Sequence, residues 1–500
     1  MKMIYNVKDK PKFGQLIVFA FQQLLAIMAA TIAVPMIVGN GMSTSAALFG
    51  AGIGTLVYVL FTKAKSPVFL GSSFAFLGAM FAAFGGAATA ALGYVGLIVG
   101  AVLAGLVYVV IALIVKFAGV KWINKIMPAV VIGPIVAIIG LSLAGNAIGD
   151  LTKVNYTEPV DMAQVQIVEV NTVNDDGTIA ESVVAVNDDG TVNPAITVTQ
   201  DASGSVSGTT QPGSPYVAII CGLVTLAVVM LCSVYGKKMA RLIPFIIGIL
   251  AGYLVATIFY FIGKATGNAA LMVIDYSALI NNFKTVSFSS FIALPDFSFL
   301  KAFGAFGELN GAYIGTIAAA YVPVAFVVFA EHIADHKNLS SIIEHDLLED
   351  PGLSRTLLGD GIGSMAGAFF GGCPNTTYGE SIGCVAITKN ASVSTIIVTA
   401  CEAIIISFIA PFVAFLSTIP SCVMGGVCIA LYGFIAVSGL KMLQKVDLDD
   451  NRNLFTASVI LITGVGGFIL TFGTITVTTV ACALILGILT NVILSKKKSK

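Results

Sequence analysis

Residues 371–388 read Gly371-Gly-Cys-Pro-Asn-Thr-Thr-Tyr-Gly-Glu-Ser-Ile-Gly-Cys-Val-Ala-Ile-Thr388. Apolar runs flank this stretch, Ser364–Phe370 before it and Val393–Leu416 after it. It is too polar and too rich in Gly and Pro for an ordinary spanning helix, yet its flanks place it at membrane depth. Lipid cannot hydrogen-bond a freed backbone, so irregular chain at that depth has to be buried in protein or line a cavity. Glu380 sits within it, and a carboxylate inside a membrane segment marks a functional site by default.

Composition supports the membrane setting. The 500-residue chain is 57% hydrophobic and 10% charged, where a soluble domain carries roughly 25% charged residues. The formal net charge is zero, so bulk charge carries no signal for nucleic acid, and none is expected as a partner; the partner that composition demands is a lipid bilayer. The eight cysteines, at 221, 232, 373, 384, 401, 422, 428 and 482, lie in or beside apolar segments with no metal-ligand spacing. They read as free buried thiols, and no metal or cofactor is expected. HExxH and GxSxG are absent, which argues against an intramembrane enzyme.

A spanning helix needs about 20 mostly apolar residues. Scanning outward from the quoted stretch gives fourteen candidates, near 15–38, 45–62, 68–85, 89–116, 128–147, 215–234, 241–263, 312–331, 356–372, 376–389, 393–417, 421–440, 454–471 and 474–495. The first follows Lys2, Lys8, Lys10 and Lys12 and outruns a signal-peptide core, so it reads as a span and not a cleaved leader. Lys and Arg cluster before span 1, at Lys63/Lys65, Lys116/Lys121/Lys125, Lys237/Lys238/Arg241, Lys441/Lys445/Arg452 and Lys496–Lys500. With fourteen spans all six clusters fall on one side, which predicts a plasma-membrane protein with both termini cytoplasmic. The expected organisation is a cytoplasmic N-terminus (1–14), five spans (15–147), an extracellular insert (148–214), two spans (215–264), an extracellular loop (265–311), seven spans (312–495) and a basic tail (496–500).

The insert repeats Val173-Asn-Asp-Asp-Gly-Thr178 as Val186-Asn-Asp-Asp-Gly-Thr191. Asp-Gly between β-branched runs predicts small β-hairpins with tight turns. Residues 201–214, rich in Ser, Gly and Thr, read as linker.

Segments 68–85 and 376–389 are short or interrupted by polar residues, and each is third in its set of seven. An odd number of spans per copy inverts the second copy, and corresponding interrupted segments in inverted halves point to a transporter's central site. A second carboxylate lies near it: Glu331 ends span 8, followed by His332, Asp335 and His336. Glu331 and Asp335 share a helix face at i,i+4, whereas His336 lies off it. Two carboxylates on separate spans suit a ligand with N–H groups, because charge assistance strengthens the bonds they accept. Gly379 and Gly383 let backbone N–H groups approach ligand carbonyls, and half-helix N-termini favour the same atoms. A flat heterocycle with alternating N–H and C=O meets these groups. A buried carboxyl in such a site is also a candidate proton carrier. Gln22, Gln23 and Thr31 in span 1 read as interhelical hydrogen-bonding groups.

Pro374–Gly383 with Ala386-Ile-Thr388 resembles the signature of the nucleobase–ascorbate transporter (nucleobase:cation symporter-2) family, on the side of its bacterial uracil permeases. Gly71-Ser-Ser-Phe-Ala-Phe76, Ala330-Glu-His332, Leu347-Leu-Glu-Asp-Pro-Gly-Leu353 and Val423-Met-Gly-Gly-Val427 are similar to the same group. The resemblance spans nearly the whole chain except 148–214. It implies an all-α polytopic fold of fourteen segments in two inverted seven-segment repeats, divided into core and gate domains, with segments 3 and 10 each a short β-strand followed by a half-helix. It also implies proton-coupled uptake of a nucleobase, uracil foremost and xanthine or another purine as the alternative, and homodimers through the gate. Carried over by position, Glu331 and Glu380 bind substrate, the backbones of Phe74 and Gly379 contact it, and Ala30 and Tyr378 stand close by. Proton-coupling candidates are Glu331, Asp335 and His336. The chain departs from the uracil permeases at Asp335, where they tend to carry His, and at Gln22-Gln23, where the family has Gln-His. The related sulfate-transporter superfamily shares the architecture, but two carboxylates beside the site repel an anion. A channel is the remaining class; broken helices fit a closed central site better than a continuous pore.

Overall fold

A computed structural model describes residues 3–119, 128–162, 165–173, 179–187, 191–193, 196–200, 206–237, 239–472 and 475–495. The basic tail and the Asp-Gly turn at 176–177 lie outside these residues, as do 188–190 of the second copy.

The chain opens with helices α1 (Phe13–Val38) and α2 (Thr44–Phe61), the latter capped by the Ser43 hydroxyl accepting from the Ala46 N–H. Strand β1 (Leu70–Ser72), a 3₁₀ turn (Phe74–Phe76) and α3 (Leu77–Gly85) form the third segment. Then come α4 (Ala90–Ala118) and the consecutive pair α5 (Ala129–Ser142) and α6 (Ala144–Leu151). The insert holds β2 (Glu158–Val160), β3 (Gln166–Val173), β4 (Ile179–Val186), β5 (Ile196–Gln200) and β6 (Val206–Thr210). Helices α7 (Pro215–Tyr235), the single-turn α8 (Met239–Leu242) and α9 (Pro244–Thr266) follow, then the short α10 (Ser277–Lys284) and α11 (Ser298–Ala302). The second half has α12 (Gly311–Ile343), α13 (Leu353–Gly371), β7 (Asn375–Thr377) with α14 (Gly379–Thr388), α15 (Val393–Ser407) and α16 (Ala410–Ser417). It ends with α17 (Ser421–Leu443), α18 (Asn451–Val465), hairpin β8 (Leu470–Phe472)/β9 (Ile475–Val477) and α19 (Thr479–Ser495).

Among the described residues eight helices are long and apolar enough to cross a membrane, and three shorter apolar helices join them. With α13, α14 and α18 these make the fourteen expected segments. Their packing reveals the inverted duplication, because contacts recur when each segment is exchanged for the one seven places away. Segment 2 packs on segments 9 and 11, and segment 9 on 2 and 4; segment 1 packs on 11 and 10, and segment 8 on 4 and 3. Segments 5 and 12 pair, while 6–7 and 13–14 repeat each other. Segments 1–4 with 8–11 thus form one body, the core, and 5–7 with 12–14 the other, the gate. Strands β1 and β7 pair antiparallel, Leu70 with Thr377, Gly71 with Thr376 and Ser72 with Asn375. That is the direction an inverted repeat demands of corresponding strands, and it satisfies the polar backbone of both interrupted segments at membrane depth.

Small residues bring the core helices together. A Cβ added at Gly50 would lie 2.4 Å from the Gly367 carbonyl oxygen, and one at Gly54 2.5 Å from Asn375 Nδ2. Helices α2 and α13 therefore touch backbone to backbone, the small-residue packing typical of membrane helices.

Three expectations needed correction. Span 11 is not continuous: it breaks at Phe408–Ile409, because Pro411 lacks an N–H and starts a new helix. The break is filled by the loop 265–311, whose Ala293 N–H donates to the Phe408 carbonyl while the Ala410 N–H donates to that of Phe291. Spans 13 and 14 are shorter than read, since Leu470–Val477, rich in β-branched residues, pairs as a hairpin. Within 201–214, read as linker, Val206–Thr210 is a strand bonded on both sides, to β2 and β5. The predicted hairpin pairing is present as β3–β4, from Gln166↔Val186 to Val173↔Ile179.

Candidate functional site

The two half-helices start where the short strand pair ends. Their first residues, Ser73, Phe74 and Ala75 from segment 3 and Tyr378, Gly379 and Glu380 from segment 10, line one cavity of about 460 Å³. Helix α12 adds Glu331, Ala334 and Asp335 from the core. The opposite wall is gate: Phe245 and, from α17, Leu431, Phe434, Ile435 and Ser438. The cavity therefore lies between the two bodies, acidic on the core face and mostly apolar on the gate face.

Each core group is fixed by neighbours. Tyr378 donates its hydroxyl to the Ser72 carbonyl at 2.7 Å and lays its ring where a Cβ of residue 71 would stand, 2.4 Å from that position. Only glycine fits at 71. Replacing Tyr378 with Phe is expected to cost about 1 kcal/mol of thermal stability, one neutral hydrogen bond. Replacing Gly71 with Ala should cost more, since the ring must move; denaturation of the two purified variants compares them. Asp335 accepts from the Thr377 hydroxyl at 2.7 Å, tying α12 to β7. Phe76 stacks on Tyr321 of α12, ring centroids 5.6 Å apart, and Phe74 meets Tyr432 of the gate edge-on at 6.0 Å. A Cβ at Gly379 or Gly383 would meet nothing within 4 Å. At both positions, which line the cavity, the missing side chain leaves open space beside the backbone.

Six expected site residues thus come together: Glu331, Asp335, Glu380, Gly379, Phe74 and Tyr378. Two stand apart from the cavity. Ala30 is buried in a cluster with Phe69 and Tyr378, against which Phe74 packs. His336 is buried against α2, with Nε2 2.7 Å from the Tyr58 hydroxyl and Nδ1 2.8 Å from the His332 carbonyl. Gln23, read as interhelical glue, donates to the Ser381 hydroxyl at 2.5 Å and so holds α1 to the half-helix carrying Glu380.

Further partners and cavity groups become visible only in the fold. His332 joins Asp360 of α13 at 2.7 Å through Nδ1 and the Thr356 hydroxyl at 3.0 Å through Nε2. This buried pair braces α12 beside Glu331. Asp360, an acid inside an apolar run, was open to the same argument that singled out Glu380. Ser73 and Thr376 on the core side and Ser233 on the gate side line the cavity with buried hydroxyls that have no partner among the described residues. Arg241 of α8 also lines it. Ser233 and Arg241 carry no local signal, since the fold alone brings the end of span 6 to the cavity. Glu402 is a further carboxyl within a span, with Oε2 buried and without a hydrogen-bond partner among the described residues, but it is not part of the cavity.

Two inverted repeats, paired interrupted segments and a cavity between core and gate define an integral membrane permease. The motifs of segments 3, 8 and 10 agree with its relatives. The chain belongs to the Permease family, whose model matches residues 14–173 and 195–473, the nucleobase–ascorbate transporter group that its signature resembles. It is 36% identical over 498 residues to the uracil permease of Bacillus caldolyticus, covering 99% of this chain and 95% of that protein. To the uracil permease of Bacillus subtilis (strain 168) it is 36% identical over 505 residues, 100% of this chain and 97% of that one. Among solved structures it is similar to the transmembrane domain of the cyanobacterium bicarbonate transporter BicA, with a TM-score of 0.58 over 97% of this chain and all of that one. At 15% identity that likeness shows the fold alone.

Proposed function

We propose that the protein imports a nucleobase, uracil foremost, in symport with protons, by alternating access of the core against the gate. The observation that carries this reading is the cavity that Glu331 and Glu380 line together with the starts of two half-helices. The carboxylates accept the ring N–H groups of the base. Backbone N–H groups at Phe74 and Gly379, aided by the positive ends of the half-helices, donate to its carbonyl oxygens. The hydroxyls of Ser73, Thr376 and Ser233 supply further bonds, and the apolar gate wall covers the ring. A cavity of about 460 Å³ is within the range that holds small molecules. Uracil as the base is supported by the near full-length similarity to proteins named uracil permeases. Three carboxyls in the cavity, Glu331, Asp335 and Glu380, are the proton-coupling candidates; His336 reaches the cavity only through its neighbours. The Lys/Arg distribution supports cytoplasmic termini.

Cells expressing the protein are expected to accumulate labelled uracil, and a protonophore should abolish the accumulation. Unlabelled uracil should compete and xanthine should not. Competition by xanthine with none by uracil reverses the substrate assignment, and accumulation that survives the protonophore removes the proton.

A further inference from the structure

We propose that Arg241 is the latch of the empty carrier: when the substrate has left, its guanidinium pairs with the core carboxylates and lets the mouth of the cavity close. The inference rests on the transport reading above and adds to it the residue that completes the return stroke.

Among the described residues lining the cavity, Arg241 is the one base, set against three acids on the opposite body. Its side chain is exposed, so it stands where the cavity opens. No ion pair or hydrogen bond of its side chain is formed among the described residues, whereas Arg452, at another helix end, is held by Asp450 at 2.9 Å. The single-turn α8 that carries it already touches the core. Leu242, the next residue, packs with Cys384 of the half-helix and Ala26 of α1, and Ile243 joins the same cluster. Cys384 is one helical turn beyond Glu380, so this packing contact lies one turn from the acid.

The physical need is clear from the acids. With substrate bound, its N–H groups satisfy them. When the base has left, closing the mouth strips water from Glu331, Asp335 and Glu380, and the bond from Thr377 to Asp335 replaces only a small part of it; a buried charge without a charged partner is costly. A guanidinium offers five donors in a fork that matches carboxylate geometry and stays charged at all working pH values. Arg241 can therefore stand in for the substrate's donors, but only in the empty carrier.

This predicts a split between two transport modes. Net uptake requires the empty carrier to return on every cycle; exchange of labelled for unlabelled uracil does not. In proteoliposomes, Arg241→Gln should lower net uptake about tenfold, the worth of one charge-assisted hydrogen bond, while exchange stays within about twofold of the parent. Arg241→Lys, with charge but no fork, should recover part of the loss. Because the side chain is exposed, the variant is expected to fold, and the exchange arm reports on folding in the same sample. Equal loss in both modes, or no loss in either, overturns the assignment. Parent protein that exchanges no uracil instead defeats the transport reading itself.

Discussion

Glu380→Gln is expected to weaken uracil binding severely while leaving the apo protein as stable as its parent. The carboxylate lines the cavity at the first turn of α14, where the proposed function has it accept from the ligand. Gln keeps one acceptor but replaces the other with an NH₂ group, which presents donor to donor toward a ring N–H. Loss of a charge-assisted bond plus that mismatch should cost about 2–4 kcal/mol of binding, some 30- to 1000-fold. The clean readout is thermal. A ligand at a hundredfold excess over Kd raises stability by about 2.7 kcal/mol through mass action, and in Glu380→Gln that uracil-dependent shift should fall below about 0.9 kcal/mol. A variant that is still stabilised by uracil and still transports it at the parental rate removes Glu380 from the site.

Gly54→Val should disable the protein by a different route, unfolding the core and not emptying the site. A Cβ at 54 falls 2.5 Å from Asn375 Nδ2 and 2.7 Å from the Gly363 carbonyl oxygen. Asn375 is part of β7 and donates to the Gly50 carbonyl at 3.1 Å, so the substitution pushes α2 off α13 and strains the strand pair together. Neighbouring backbone cannot yield as a flexible side chain can, and overpacking of this kind costs about 3 kcal/mol. Low yield, a lowered thermal midpoint and loss of uptake should appear together. Gly78→Ala is the control, because a Cβ there meets nothing within 4 Å and both yield and uptake should hold. Parental stability in Gly54→Val is the result that contradicts the backbone contact.

Much of this architecture is written in local chemistry. The interruptions at 68–85 and 376–389 are legible because polar and small residues stand out inside apolar runs, and their matching places imply the duplication. Glu331 and Glu380 are legible for the same reason, since charge at membrane depth has few bland uses. What escaped is set by distant partners. Val206–Thr210 looks like linker by composition and becomes a strand because β2 and β5 flank it. The break at Phe408–Ile409 is closed by a loop more than a hundred residues earlier, at Phe291 and Ala293. Arg241 reads as one more basic residue at a span end, and its place opposite three acids exists only once gate and core are assembled. Ala30, carried over by motif, packs in the buried cluster of Phe69 and Tyr378.

The pairing of β1 with β7 also bears on how the chain is made. Ser72 finds its partner in Asn375, so about three hundred residues separate the two strands. At ribosomal rates of roughly 5–20 residues per second, segment 3 waits about 15–60 s for segment 10. Throughout that interval its backbone donors and acceptors have no strand to bond, and lipid offers none. The nascent third segment must therefore remain sheltered by the insertion machinery or by water at the membrane surface. Maturation of the whole carrier is then timed by the emergence of the signature segment, and every chain cut short before it is left with an unfinished core.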